Sequence, residues 1–375
     1  MEKNSSPTRE GPLAGLRIVE FAGLGPGPFA CMLLSDMGAE VVRIDRPDAP
    51  PMSPLDIVGR GRRTILLDLK RPEAVEQVLQ LLEKADALVE GFRPGVMERL
   101  GLGPKLVAQR NPRLVYGRMT GWGQDGPLAQ VAGHDINYIA VTGALATIGE
   151  ADRGPVPPLN LVGDYGGGSL YLVTGLLAAL LHARATGEGQ VVDAAICDGV
   201  LSMLNNNLSH RLRDLYRDQR YSNMLDGGAP YYTTYETADK RHVAVGPIEP
   251  QFFALLCQQL DLPDTLRDAQ KDRARWHLLR DAIAAAFRQR TLAEWCLRIE
   301  GSDSCFAPVL TLEEAQQHPH IQSRKSFTSV DGVTHIAPAP RFSRTPGRIQ
   351  CSAGVPPVDV ASVLASWLND SPNQQ

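Results

Sequence analysis

The stretch Arg17-Ile-Val-Glu-Phe-Ala22 decides the fold, because it begins a pattern that recurs along the first half of the chain. It is a short apolar run followed by glycines, which predicts a buried strand. Residues 28–37 then have apolar side chains at helical spacing, and the pattern stops at Gly38. Glu40-Val-Val-Arg-Ile-Asp45 predicts a second strand, which closes a strand–helix–strand unit.

Further segments of the same kind follow this unit. Strands are predicted at 63–69, 87–92, 114–117 and 190–195, and helices at 72–84 and 168–185. Strands that alternate with helices form a parallel sheet with helices on both faces. We therefore expect an α/β fold in which a large domain contains a Rossmann-like parallel sheet flanked by helices.

The pattern changes after residue 230. Short strands are predicted at 231–236 and 242–246, and helices at 251–259, 276–289 and 292–299. This arrangement is typical of a smaller α+β domain. We expect the large domain over residues 1–200, a linker over 201–228 and the small domain over 229–334. The tail, 335–375, is expected to return to the large domain.

Composition excludes several classes of protein. The 375 residues have a net charge of −4, so we expect no nucleic-acid partner. The six cysteines are scattered without metal-ligand spacing, which indicates thiols in a reducing compartment and no metal. The first eleven residues do not resemble a targeting peptide, and the apolar run 170–181 is shorter than the ~20 residues of a membrane span. A cytoplasmic protein without a membrane contact is expected.

One loop suggests a nicotinamide enzyme. Gly25-Pro-Gly-Pro-Phe-Ala30 fits a dinucleotide-binding pattern, and Asp45 stands about 20 residues further on, where a ribose-binding acid is expected. However, Pro26 and Pro28 have no backbone N–H, so the loop lacks two donors for a pyrophosphate. An NAD-dependent enzyme is therefore only a minor alternative.

Two other loops contain side chains that could act as an acid and a base. Gly133-His-Asp-Ile-Asn-Tyr138 contains His134, and Leu159-Asn-Leu-Val-Gly-Asp-Tyr-Gly-Gly-Gly168 contains Asp164. Such a pair suggests proton transfer at a carbon between the two side chains. Simpler roles are a structural histidine and an aspartate at a helix N-cap. The glycines after Asp164 would let a ligand approach the backbone closely.

With these motifs in view, the chain resembles the alpha-methylacyl-CoA racemases of the family III CoA-transferase superfamily over nearly all of its length. One motif is Glu90-Gly-Phe-Arg-Pro-Gly-Val-Met-Glu-Arg-Leu-Gly-Leu-Gly-Pro104. The other matching segments are 17–47, 133–138, 159–168, 248–252, 305–310 with 318–320, and 338–347. Each is weak by itself, but their combination and order are specific.

The resemblance implies an enzyme that interconverts (R)- and (S)-2-methylacyl-CoA thioesters by proton transfer through an enolate. His134 and Asp164 would be the two bases on opposite faces of C2, and the backbone N–H of Asp135 would bind the enolate oxygen. No cofactor is required, since CoA is part of the substrate. Glu249 would orient His134, although an acid beside Pro250 also suits the start of a helix. The family's interlocked homodimer leaves open whether Glu249 acts within its own subunit or across the dimer.

The CoA moiety needs cations for its phosphates. Arg46, Lys70 and Arg93 follow the second, third and fourth predicted strands, and α/β proteins bind ligands beyond the carboxyl ends of their strands. The resemblance assigns CoA and substrate contacts to Arg46, Leu67, Asp68, Lys70, Gly91, Phe92, Arg93, Arg99, Gly133, Asp135, Ile136, Asn137 and Tyr138.

The nearest alternative is a CoA-transferase of the same superfamily, in which Asp164 would be the nucleophile. His134 and Ile248-Glu-Pro-Gln-Phe252 favour the racemase. A non-catalytic acyl-CoA-binding protein would not need all three candidate groups. Two departures from the racemase pattern, Gly246-Pro-Ile248 and the arginine-rich Gly59-Arg-Gly-Arg-Arg63, leave the acyl group open. A role in fatty acid and lipid metabolism is expected.

Overall fold

A computed structural model describes residues 9–369, and these residues form two compact units. The first unit contains the described chain up to Thr142, then Leu159–Leu204 and the described residues from His320 onward. The second contains Gly143–Pro158 and Asn205–Pro319. The second unit therefore takes residues 143–158 from within the predicted large domain, an excursion for which the sequence had no signal.

The strands and helices of both units follow in chain order. The strands are β1 (Arg17–Phe21), β2 (Glu40–Asp45), β3 (Arg62–Leu66), β4 (Ala87–Glu90), β5 (Val115–Thr120), β6 (Val191–Ala195), β7 (Thr233–Glu236), β8 (His242–Val245), β9 (Phe306–Pro308), β10 (Phe327–Val330) and β11 (Val333–Ile336). The helices are α1 (Pro26–Asp36), α2 (Pro72–Leu82), α3 (Val96–Arg99), α4 (Pro104–Arg110), α5 (Asp135–Val141), α6 (Leu170–Thr186), α7 (Ile196–Met203), α8 (Asn205–Leu212), α9 (Pro250–Gln259), α10 (Trp276–Phe287), α11 (Leu292–Ile299), α12 (Leu312–Gln317), α13 (Pro319–Ser323) and α14 (Val360–Asn369). A π-helical stretch, Leu161–Ser169, leads directly into α6.

The first unit is built on a six-stranded sheet with the order β3-β2-β1-β4-β5-β6. All five strand pairs are parallel, so the predicted parallel sheet is confirmed. Ile18, Val19 and Phe21 of β1 are buried, as expected of a central strand that is covered on both faces. The order reverses between β1 and β4, and such a switch point is where open α/β sheets bind ligands.

The two faces of this sheet are covered by different helices. On one face, α2 and α14 pack a continuous core that includes Val78, Leu82, Val363 and Trp367. The Arg17 guanidinium donates to the carbonyl of Trp367, which attaches α14 to the start of β1. The described residues from His320 to Asn369 thus belong to the first unit. On the other face, α6 packs against β5 and β6.

Two arginines of the arginine-rich segment Gly59-Arg-Gly-Arg-Arg63 are buried in the interior. Arg60 makes a two-pronged ion pair with Asp36, with nitrogen–oxygen distances of 3.1 and 2.5 Å. Arg62 donates to Glu20 at 2.6 Å, and both side chains are 1% exposed. The structure therefore assigns Arg60 and Arg62 a structural role, which a local pattern could not reveal because their partners are more than twenty residues away.

The second unit has the α+β character expected from the sequence. Its antiparallel sheet has the order β7-β8-β9, and Phe253, Phe287 and Trp295 lie in its core. The segment predicted as a linker contains α8, which belongs to this unit.

One helical stretch, Leu161–Thr186, is long and apolar enough to cross a membrane by length and composition. It exceeds the apolar run recognised in the sequence because the π-helical stretch and α6 are continuous. Half of its most apolar window is buried within the protein, and the core helix of a soluble protein passes the same test.

Candidate active site

His134 and Asp164 line the same cleft of about 490 Å³ in the first unit. Phe21, Val89 and Met119, from the carboxyl ends of β1, β4 and β5, line it as well. The cleft is therefore at the switch point of the sheet, where a ligand site is expected. The structure thus brings together the acid and the base that the sequence placed on separate loops.

The loop that carries His134 is fixed by its neighbour Tyr138. The Tyr138 ring lies so close to Gly121 and Gly133 that a Cβ atom would come within 2.0 and 2.8 Å of it, respectively. Its hydroxyl donates to the carbonyl of Gly133, and Trp122 packs edge-on against the ring at 4.8 Å. These contacts hold His134 at the start of α5, and they explain why a glycine precedes it.

Asp164 lies inside a helix, so the N-cap interpretation is wrong. It is the fourth residue of the π-helical stretch Leu161–Ser169, which begins well before the apolar helix predicted from Gly168. Its carboxylate lies against Gly25, where a Cβ atom would be 3.0 Å from Oδ2. Gly25 has φ +68° and immediately precedes α1, so the glycine loop serves a tight turn beside the acid.

The glycines after Asp164 serve helix packing, a role that the sequence did not indicate. A Cβ atom on Gly167 would come within 2.6 Å of the Val200 side chain, and one on Gly199 within 1.9 Å of the Gly167 carbonyl oxygen. Gly168 faces Ile196 in the same way, at 3.0 Å. The π-helical stretch and α7 therefore meet backbone to backbone, which holds Asp164 against the cleft.

The environment of Asp164 raises the pKa of its carboxyl group. Burial is the largest cause, and the nearby Asp135 carboxylate raises the pKa further. A hydrogen bond from Asn160 and the proximity of His134 act in the opposite direction. A raised pKa lies closer to neutral pH, at which the carboxyl group can then both accept and donate a proton.

This raised pKa predicts that Asp164→Asn stabilises the fold. Ionised Asp164 opposes folding, and its penalty develops from the unfolded-state pKa of about 3.9 upward and is complete above the folded-state pKa. The variant should therefore have a higher Tm than the wild type at neutral pH and an unchanged Tm at the acidic end. Thermal unfolding across this pH range tests the prediction, with the exposed Asp152→Asn as control. An equal gain at every pH would contradict it.

A second cleft, of about 1130 Å³, lies beside the first. Phe21, Gly23, Leu24 and Phe92 line both clefts. Among the residues with predicted CoA contacts, those that line the second cleft are Arg46, Leu67, Asp68, Lys70 and Phe92. Two exposed cations at the ends of β2 and β3 thus stand at an opening continuous with the acid–base pair.

The remaining predicted contacts are distributed around the first cleft. Those that line it are Gly91, Phe92, Arg93, Gly133 and Tyr138. Asp135 is buried, Ile136 is exposed, and the Asn137 side chain accepts a hydrogen bond from the His134 N–H at 3.0 Å. Arg99 is exposed at the end of α3 and lies outside the described linings of both clefts.

Residues 13–359 match the sequence profile of CoA-transferase family III. The chain belongs to this family. Alpha-methylacyl-CoA racemase from Mus musculus is 45% identical over 335 residues, which cover 89% of this chain and 87% of that protein. The racemase from Homo sapiens is 44% identical over 337 residues, with the same coverage. A solved structure of the hypothetical protein Rv3272 from Mycobacterium tuberculosis superposes with a TM-score of 0.79 at 26% identity, covering 96% of this chain and 99% of that one.

The third predicted catalytic group of this family III protein lies in the second unit. Glu249 immediately precedes α9, is exposed, and accepts the Phe253 N–H at 3.0 Å through its backbone carbonyl. Its assignment to the orientation of His134 stays a prediction. Among residues 9–369, no three His, Cys, Asp or Glu side chains are grouped as metal ligands.

Sequence reasoning missed a buried ion-pair network that supports the segment 91–93. Glu90 accepts the Phe92 N–H at 2.7 Å and the Arg118 Nε–H at 2.8 Å, and Arg118 also donates to Glu98 at 2.9 Å. The chain is thereby held in its turn from β4 into the cleft. Glu90 opens the motif that indicated the family, but its partner on β5 has no sequence signal.

Proposed function

We propose that this family III protein is an alpha-methylacyl-CoA racemase, an isomerase that interconverts (R)- and (S)-2-methylacyl-CoA thioesters. The observation that carries the proposal is the shared cleft of His134 and Asp164, in a chain 45% identical to a racemase. Racemisation needs two acid–base groups that reach opposite faces of C2, and these two side chains supply them. The reaction is a 1,1-proton transfer through an enolate, and it needs no cofactor.

The enolate oxygen is stabilised by a preorganised donor. We assign this role to the backbone N–H of Asp135, the first residue of α5. The first amides of a helix have no partner within the helix, so this N–H is available to a ligand. In this arrangement one residue binds the oxygen while its neighbour, His134, exchanges the proton.

The CoA moiety occupies the second cleft in our proposal. Arg46 and Lys70 are cations at its wall and bind the phosphates, while the boundary shared by the two clefts near Gly23, Leu24 and Phe92 admits the pantetheine arm. Arg93 lies in the first cleft and Arg99 follows in α3, so both are assigned to the substrate's charged groups.

We also propose a homodimer. Leu170 and Leu181 of α6 are 51% and 69% exposed, and eleven residues are three helical turns, so both lie on the same side of the helix. An apolar face of this kind favours a second copy of the chain. Glu249 then orients His134, either within its subunit or across the dimer.

A cytoplasmic location and a role in fatty acid metabolism complete the proposal.

The test is incubation of a single epimer of 2-methylacyl-CoA in deuterated buffer. We expect the C2 proton to be replaced by deuterium while the epimer becomes a mixture, and mass spectrometry with chiral separation measures both. Transfer of CoA to a free carboxylate without C2 exchange would instead identify a CoA-transferase with Asp164 as nucleophile. Branched fatty, sterol-derived and aryl thioesters in the same assay identify the acyl group.

A further inference from the structure

A hydrogen bond connects the two catalytic segments directly. Asp135, the residue after His134, accepts the backbone N–H of Asp164 through its carboxylate Oδ2 at 2.6 Å. Gly163 permits this contact, because a Cβ atom there would come within 2.4 Å of the same oxygen. The side chain of Asp135 therefore fixes the spacing between the start of α5 and the π-helical stretch.

The hydrogen bond to the Asp164 N–H does not require a charged acceptor. Asp135 is 7% exposed, its second oxygen Oδ1 is buried without a hydrogen-bond partner, and no Lys, Arg or His within residues 9–369 forms an ion pair with it. A buried carboxylate in that state is destabilising. An asparagine would accept the same N–H without a buried charge, so the carboxylate has a further purpose.

We propose that Asp135 is a positioning residue that holds Asp164 through its backbone N–H and electrostatically opposes ionisation of the Asp164 carboxyl group. Two carboxylates that share a site cannot both ionise freely. Asp164 can then return a proton to C2 as readily as it removes one. This inference rests on the proposed racemase function, which it deepens with the side chain of Asp135.

The other groups near Asp164 do not supply this effect. Among the described residues, the titratable groups that interact with it are Asp135, His134 and Tyr138. His134 favours the ionised form of Asp164, and Tyr138 is neutral at physiological pH because burial and Asp164 raise the pKa of its phenol. The α1 and α7 residues nearest to Gly167 and Gly168 of the π-helical stretch, Pro26, Ile196 and Val200, are uncharged. Among the neighbouring charged groups, Asp135 is thus the one that adds to burial, the largest cause, in keeping Asp164 protonatable.

Asp135→Asn separates charge from geometry, because the amide oxygen still accepts the Asp164 N–H. Protein labelled with carbon-13 at aspartate carboxyl groups is titrated by NMR, and the Asp164 signal is assigned by its loss in Asp164→Asn. We expect its titration midpoint to move to lower pH in Asp135→Asn. In the exchange assay kcat should fall roughly tenfold, and KM should be nearly unchanged. This loss is smaller than the ~10²–10⁴-fold loss expected when an acid–base group itself is removed.

The matched control is Asp193→Asn. Asp193 also accepts a backbone N–H, from Gln124 at 3.1 Å, but it lines neither cleft. Its replacement should leave the Asp164 midpoint and the exchange rate unchanged. An unchanged midpoint in Asp135→Asn would overturn the inference, as would failure of this isosteric variant to fold, since the charge would then serve the fold. The titration is independent of turnover, so an inactive wild-type protein would reject the racemase proposal separately.

Discussion

Replacement of His134 by alanine is expected to lower the interconversion of 2-methylacyl-CoA epimers by roughly 10²–10⁴-fold. His134 and Asp164 line one cleft, and each reaches one face of C2 in the proposed mechanism. Without the imidazole, Asp164 can still remove a proton from the epimer that faces it, but deuterium returns to the same face. Exchange should therefore persist for one epimer while inversion is lost.

The variant Asp164→Asn tests whether each base acts on one epimer only. Asp164→Asn should also abolish interconversion, but the epimer that retains exchange should be the opposite one, because His134 remains. His277→Ala, on the exposed surface of α10, is the control and should exchange normally. Near-normal interconversion by His134→Ala would remove this residue from the mechanism. If both variants retained exchange with the same epimer, the two-base arrangement would be excluded.

The largest expected effect on stability is that of Arg62→Ala. Arg62 donates to Glu20 at 2.6 Å and to the carbonyls of Val58, Pro28 and Arg60, at 1% exposure. Burial raises the pKa of Glu20 even with Arg62 present, which acts to lower it. Removal of the guanidinium leaves this carboxyl group without its cation, and such a loss typically costs about 3–5 kcal/mol. Urea unfolding monitored by circular dichroism measures the change.

A surface ion pair provides the comparison. Arg110 pairs with Glu76 at 2.5 Å and Glu83 at 3.4 Å, but its side chain is 37% exposed. Arg110→Ala should cost no more than about 1 kcal/mol, because solvent screens exposed pairs. Equal losses in the two arginine variants would contradict the structural role of Arg62. The double replacement Glu20→Leu with Arg62→Met should be milder than Arg62→Ala, because it leaves no unpaired charge.

Much of the first unit could be predicted because its signals are local. The apolar run at Arg17–Phe21 and the strand Glu40–Asp45 lie where the pattern places them, and Pro72 begins its helix as expected. The order of the strands could not be predicted, since each parallel strand has a similar apolar pattern. The buried pairs of Arg60 and Arg62 depend on acids distant in sequence, so the structural role of these arginines could not be predicted.

The sequence indicated candidate residues for the site, but it indicated their geometry only in part. The motif around His134 indicated the base, and the structure places Asp164 in the same cleft. The position of Asp164 within a π-helical stretch had no sequence signal, because three glycines normally indicate a break rather than a continuous helix. The bond between Asp135 and Asp164 joins residues 29 apart and was equally invisible.

The π-helical stretch makes the number of residues before α6 as important as their identity. In a π-helix each N–H bonds to the carbonyl five residues back, one residue more than in an α-helix. Loss of one residue between Asp164 and α6, from Tyr165 to Ser169, would rotate Asp164 by about 100° relative to α6. Asp164 would then leave the cleft although its own codon is intact. Such a deletion would thus abolish activity as completely as replacement of Asp164 itself.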